Sequence, residues 1–505
     1  MHPGGNQSPS LPAPSAGPAA NQYQPIEPLA VAYVSPDVPD DPGVSTSPVP
    51  WPVRAPAYGG PSPYGGSPPG LLTPSPPARR RRRWWVWFAL GLVAGAAIAS
   101  PSWADRLGAH PASVRAVQKP TPTPPPTPAV VTRPGDRTPE RGRELHRLLN
   151  VAVSAQAKAL LDANEADFLN LAGTPGARTA LQRRFRNLVA MRVSRLDLGV
   201  ELPNLDTTAG QWRASLRYQF CFVAPACTPD SVTELAVWRD ADTGPQLVSL
   251  ALPKPDNDDW FGRVQPWETT DLQVLVGNRT VVATTSALKG RLPGLLAEAE
   301  KAAAVADGFA TGTKPDVYRV FLAGSNEWRT WYGGVDAKWA AGVTHPIGPT
   351  HNDVVVNSSA APGGYLDDLL RHEMTHAATI HGEHWWQGNW WLLEGIAELA
   401  EHPAALTATQ GSTETRRYIR SGWKRTLPGD EPAAKASLST VAAQYGIAYL
   451  AVKRLDTRFG REKLLDFFDR VTEQGKDKGD ASSAVFGLTW VEVEADLIKT
   501  IAAFR

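Results

Sequence analysis

Arg79 to Arg83 form an unbroken basic run, after which no charged side chain appears until Asp105. Between them lie Trp84-Trp85-Val86-Trp87-Phe88, an apolar stretch to Ala99, and uncharged residues to Trp103. About twenty such positions match the hydrocarbon thickness of a bilayer, so residues 79–103 read as a basic run plus a transmembrane anchor. The tryptophans suit the headgroup region, and arginines on the N-terminal side set the N-terminus in the cytoplasm. A cleaved leader is the rival, because Ala97-Ile98-Ala99 has the small-x-small form of a cleavage site. The leader before it would exceed eighty residues, too long for a signal peptide, so an uncleaved anchor is expected. The chain is therefore expected to be a single-pass protein of the cell membrane, with everything after the anchor extracytoplasmic.

Residues 1–78 are rich in Pro, Gly, Ser and Ala, and Ala57-Tyr58-Gly59-Gly60 is echoed by Pro63-Tyr64-Gly65-Gly66. Such a segment buries too little apolar surface to offset its chain entropy, so a disordered cytoplasmic tail is expected. It serves as a spacer or docks a cytoplasmic partner. Residues 104–139 carry Thr-Pro repeats and Pro124-Pro125-Pro126, the composition of an extended stalk. The net charge is +1, which gives no case for a nucleic-acid partner. Two cysteines exclude both a disulfide scaffold and a Cys-rich zinc module. Cys221 and Cys227 are expected to bridge in an oxidising compartment.

Two folded units are expected, giving an α+β protein. Over 140–266, Leu145, Leu148, Leu149, Val153 and Leu160 have helical spacing, and a second helix surrounds Arg178 to Val189. Strands follow at Trp212–Phe222, Glu234–Arg239 and Gln246–Leu252, with turn chemistry at Asp240-Ala241-Asp242-Thr243-Gly244. This segment resembles the cone-shaped nuclear-transport-factor-like fold, through Leu161–Leu169 and through Trp212 and Trp238. Over 267–505, strands are predicted at Leu272–Val276, Thr280–Thr284, Val317–Leu322 and Asp353–Asn357, with a helix at Leu292–Asp307. The remainder from Tyr365 onward is mainly helical.

Tyr365 to Ile380 contains no proline and reads as one helix carrying His372-Glu373-Met374-Thr375-His376. Histidines four apart share a face, so both imidazoles can hold one zinc ion. Glu373 stands beside that pair, where a base for a metal-activated water belongs. A second helix, Trp390-Trp391-Leu392-Leu393-Glu394-Gly395-Ile396-Ala397-Glu398-Leu399, puts Glu394 and Glu398 one turn apart on an otherwise apolar strip. Carboxylates there are costly unless paired or metal-bound. Trp385, Trp386, Trp390 and Trp391 crowd the link between the helices, either packing it or lining an apolar substrate pocket.

His372-Glu373-x-x-His376, seventeen intervening residues, then Glu394-Gly395-x-Ala397-Glu398 resembles the gluzincin zinc metallopeptidases, most of all their bacterial aminopeptidase-like branch. The resemblance covers about 315–505. It implies a mainly helical peptidase domain behind a small N-terminal sheet. It implies Zn2+ held by His372, His376 and Glu394, Glu373 as catalytic base, and Glu398 as the acceptor that orients a ligand histidine. It extends to Val441–Leu450 and Phe459-Gly460-Arg461-Glu462-Lys463-Leu464, which implies an oxyanion-stabilising tyrosine: Tyr445, with Tyr449 in reserve. The metzincin spacing would need glycine at 379 and histidine at 382, where this chain has Thr379 and Gly382. His381 and His384 fall off that spacing. Asp353-Val354-Val355-Val356-Asn357 is either a plain sheet strand or the edge that pairs with an extended substrate. A peptide or protein substrate follows, with endopeptidase and aminopeptidase readings both open. The alternative is a non-catalytic, zinc-stapled interaction protein at the cell surface.

Overall fold

The computed structural model describes residues 136–505 apart from 206–209, 242–243, 252–263, 349–350, 361–364, 382–387 and 408–409. The expected tail (1–78), the anchor (79–103) and nearly all of the stalk (104–139) lie outside the described residues, as do His384, Trp385 and Trp386. Among the described residues no helix is long and apolar enough to cross a membrane.

Helix α1 (Pro139–Leu161) starts where Pro139 follows the N-cap Thr138, whose side chain accepts from the Arg141 N–H. Proline is tolerated at a first helical position, because its missing N–H would have no partner there. A short α2 (Glu165–Phe168) and α3 (Pro175–Ala190), again capped by threonine before proline, complete the helical layer. Strands β1 (Val193–Val200), β2 (Gln211–Phe222), β3 (Asp230–Ala241) and β4 (Gly244–Ala251) form an antiparallel sheet in chain order. Trp212, Ala214, Leu216, Tyr218 and Phe220 alternate inward along β2, the period-two pattern of a half-buried strand. The layer order expected for 140–266 is thus present, with β1 an edge strand the sequence did not signal. Cys221 on β2 forms a disulfide with Cys227 in the connection that leads to β3.

The boundary expected at 266 falls inside α4 (Pro266–Thr269), a single turn that docks on α3. Asn187 Nδ2 donates to the carbonyls of Trp267 and Thr270 at 2.8 and 2.7 Å. Arg184 Nη2 pairs with Glu234 Oε1 at 2.5 Å and Glu268 Oε1 at 3.3 Å, all buried.

The second sheet runs β5-β6-β7-β9-β8. Its members are β5 (Leu272–Val276), β6 (Thr280–Thr285), β7 (Tyr318–Ala323), β8 (Gly342–Pro346) and β9 (Asn352–Asn357). Parallel β6 and β7 are joined through α5 (Leu292–Ala306), because parallel neighbours need a crossover. Val282, Val320, Leu322, Val354 and Val356 face α5 and α6 (Leu366–Thr379); Val281, Ala283, Phe321 and Val355 face the opposite core. Of the two readings of Asp353–Asn357, the plain sheet strand is the one present. β9 pairs with β7 on one side and β8 on the other, and β8 is the edge. β8 escaped the sequence reading because a five-residue segment ending in proline gives almost no periodic signal.

The C-terminal half is helical: α7 (Trp390–Glu401), α8 (Ser412–Ser421), α9 (Leu438–Phe459), α10 (Arg461–Thr472), α11 (Lys478–Phe486) and α12 (Trp490–Ala503). All twelve residues of α7 are buried, so it lies within the core rather than on it.

Candidate metal centre

The site forms where α6 and α7 meet. Helix α6 buries Leu369, Leu370, Met374, Ala377 and Ala378 against the sheet and α5, which turns His372 and His376 toward α7. Helix α7 approaches closely because Gly395 lies against α9. A Cβ built there would stand 2.4 Å from Val452 Cγ2 and 2.5 Å from the Ala448 carbonyl oxygen.

Three donor atoms converge. His372 Nε2 and His376 Nε2 are 3.1 Å apart, and Glu394 Oε2 lies 3.2 and 3.3 Å from them. All three residues are fully buried. The second Glu394 oxygen, Oε1, is buried with no hydrogen-bond partner among the described residues, a costly arrangement for a carboxylate. Ligand atoms around a tetrahedral zinc ion, at 2.0–2.1 Å from it, stand about 3.3 Å from one another. The donor set and its spacing therefore fit that ion. Four carboxylates, Glu373, Glu394, Glu398 and Glu401, are each at most 5% exposed; a divalent cation would add opposing charge to that supplied by the histidines.

The electrostatics follow from this crowding. Burial disfavours charge on His372, but hydrogen bonds with Glu394 and Glu401 more than offset it and hold its pKa well above the imidazole range. Burial dominates at His376 and pushes its pKa down. Burial raises Glu394, and the two histidines overcome it and lower the carboxyl below its ordinary value.

Glu373 lies on α6 beside the cluster, under the edge strand. Thr344 Oγ1 on β8 stands 2.8 Å from Glu373 Oε2 and 2.9 Å from the Glu373 carbonyl oxygen, so its single proton is shared between the two acceptors. Gly342 leaves the room: a Cβ there would stand 2.7 Å from Glu373 Oε1. Neither residue was found from sequence, because β8 meets α6 only through the tertiary fold.

The role expected for Glu398 is also corrected. Glu401 Oε2 stands 3.0 Å from His372 Nδ1, and Glu398 Oε1 stands 3.7 Å away. The hydrogen bond belongs to Glu401. Helix geometry gives the reason: seven residues on from Glu394 the helix has turned back to within about 20° of its starting direction, and four residues on it is about 40° away. That i, i+7 spacing stands in the sequence, but which carboxylate reaches His372 depends on how α7 packs against α6. Burial and then the Glu401 charge push the Glu398 carboxyl up to about 7. Burial raises Glu401 as well, but His402 and His372 more than offset it and hold Glu401 low.

Tyr445 on α9 is buried, its ring 6.1 Å from His372 and 5.0 Å from Trp390. Burial, followed by the Glu394 charge, pushes its hydroxyl well above the usual range. Tyr449, one turn further, has a buried hydroxyl with no partner among the described residues. Trp390 packs toward the site, whereas Trp391 packs against Trp490 at 6.0 Å. The His381 backbone N–H donates to Glu473 Oε1 at 3.0 Å, and His381 is not among the residues whose donor atoms converge.

No family model matches the chain, and no curated protein matches it in sequence. Among solved structures it is similar to native yeast LTA4 hydrolase, with 14% identity and a TM-score of 0.28, covering 61% of this chain and 58% of that one. It is also similar to native leukotriene A4 hydrolase from Saccharomyces cerevisiae, with 15% identity and a TM-score of 0.26, covering 52% and 44%. The chain thus spans less than two thirds of either structure.

Proposed function

We propose that this protein is a zinc-dependent peptidase, anchored in the cell membrane by residues 79–103 with its catalytic domain extracytoplasmic. The observation that carries the catalytic reading is the convergence of His372 Nε2, His376 Nε2 and Glu394 Oε2 within 3.1 to 3.3 Å, with buried Glu394 Oε1 left unpartnered among the described residues. His372, His376 and Glu394 would hold the ion, which supplies Lewis acidity toward a carbonyl and lowers the pKa of water. Glu373 takes the proton of the attacking water and delivers it to the leaving amine. Thr344 fixes Glu373 Oε2, which orients the base before the substrate arrives. Tyr445 donates from its protonated hydroxyl to the developing oxyanion. An extended peptide adds to the outer edge of β8, above Glu373.

The test is elemental analysis of the purified full-length chain together with peptide-library turnover. Wild type is expected to carry one zinc per chain and cleave peptides. Glu394→Ala should lose the metal, and Glu373→Gln should keep it while losing turnover about 1,000-fold or more, at the upper part of the range for general acid–base catalysis. Zinc-free wild type after zinc exposure, or full turnover in Glu373→Gln, would sink the reading.

A further inference from the structure

Behind His372 stand two residues that the metal and its base do not use. His402 follows α7, and Gln410 lies in the turn before α8. Gln410 is held by its carbonyl end: Thr407 brings its backbone N–H to 3.0 Å and its hydroxyl to 2.9 Å from Oε1. A backbone N–H only donates, so that atom is the amide oxygen and the other is the NH2. The NH2 nitrogen lies 2.8 Å from His402 Nδ1. It has only hydrogens to offer, so Nδ1 presents its lone pair and the ring proton resides on Nε2. His402 Nε2 is 3.2 Å from Glu401 Oε1, and Glu401 Oε2 is 3.0 Å from His372 Nδ1.

We infer that His402 and Gln410 are positioning residues that act through Glu401 to hold His372 in the Nδ1–H form, its Nε2 lone pair aimed at the space shared with His376 and Glu394. The inference rests on the metal-centre reading above. Every link has a direction. Gln410 donates to His402, His402 donates to Glu401, and Glu401 accepts from both histidines, one on each oxygen. The Nε2–H of His402 is present whether its ring is neutral or charged, so Glu401 keeps that bond in either state. Gln410 faces Nδ1 with its NH2 and stops the ring from turning. Outer partners of this kind orient a ligand imidazole and raise its basicity, and a series of such bonds is stronger than its separate members.

The test is zinc affinity of the full-length chain, by competition with a chromophoric chelator, for wild type, His402→Ala, Gln410→Ala and the double variant. Urea unfolding of each metal-free protein reports whether the fold has changed. His402→Ala is expected to bind zinc about 10- to 100-fold more weakly, with Gln410→Ala showing a smaller loss in the same direction. The double variant should be no weaker than His402→Ala alone, because the two act in series. Wild-type affinity in both single variants overturns the inference and leaves the metal centre standing. A wild type that takes up no zinc overturns both. Should His402→Ala fail to fold, Gln410→Ala decides: unchanged affinity there overturns the inference.

Discussion

At the scale of single residues, the site depends as much on what is missing as on what is present. Gly342 gives Glu373 its space, since a Cβ there would stand 2.7 Å from Oε1 and 2.8 Å from Cγ. Gly342→Ala is therefore expected to push the base aside while leaving the three metal-facing residues in place. A displacement near 1 Å costs on the order of 100-fold in rate. Turnover should fall by about that factor with zinc content unchanged; retained turnover would show that Glu373 has slack. The candidate residues His372, Glu373 and His376 were legible in the sequence because a helix fixes which side chains share a face, and Glu394 through the resemblance. Thr344 and Gly342 were not, because no local rule connects 342–344 with 373.

Elements decide how tightly these faces meet. α7 and α9 pack so closely at Gly395 that a Cβ would stand 2.5 Å from a carbonyl oxygen on α9. Overpacking of this sort costs about 1–3 kcal/mol. Gly395→Ala should lower the urea midpoint accordingly and weaken zinc binding, because α7 carries Glu394; an unchanged midpoint would mean that the helices separate freely. A second prediction concerns Glu473, at the end of α10, which accepts from the backbone of His381 just beyond α6. Burial raises its pKa from 4.5 to about 8. Between those values the folded chain holds a proton that the unfolded chain has lost, so this group makes stability fall as pH rises through the window and stay level above it. Unfolding free energies at pH 5 and pH 9 should differ less in Glu473→Gln than in wild type. An equal difference would exclude Glu473 as the source. Helices α1, α3, α5, α6 and α7 were readable from local sequence, and part of α9, Val441–Leu450, through the resemblance; β1 and β8 were not, since their burial comes from neighbours far away in sequence.

Across the whole molecule, the two sheets are joined by a buried ion network. Arg319 on β7 reaches Asp230 of the first sheet at 2.6 Å and also bonds Asp353 on β9, while Tyr332 bonds the far side of Asp353. His351, at the start of the β9 segment, lies 3.0 Å from Asp230. Removing Asp230 leaves Arg319 paired with Asp353 but takes the acceptor from its Nη1, a buried donor whose loss of partner costs about 1–3 kcal/mol. Asp230→Ala should show that loss in chemical denaturation, and because β8 and β9 form one hairpin it should also reduce turnover. Asp230→Ala with wild-type stability would mean that the sheets are held by apolar packing alone.

The sequence by itself singled out His372, Glu373 and His376 as one candidate constellation, with Glu394 added by the resemblance, together with the helices that carry them and the α+β order of elements, because helical spacing and short-range periodicity are local properties. Only the tertiary structure decided that Glu401 rather than Glu398 bonds His372, that β8 rather than β9 is the open edge, that Thr344 steadies the base, and that Asp230 ties one sheet to the other. Those outcomes depend on which of several chemically similar side chains comes within about 3 Å of a partner, and packing sets that distance.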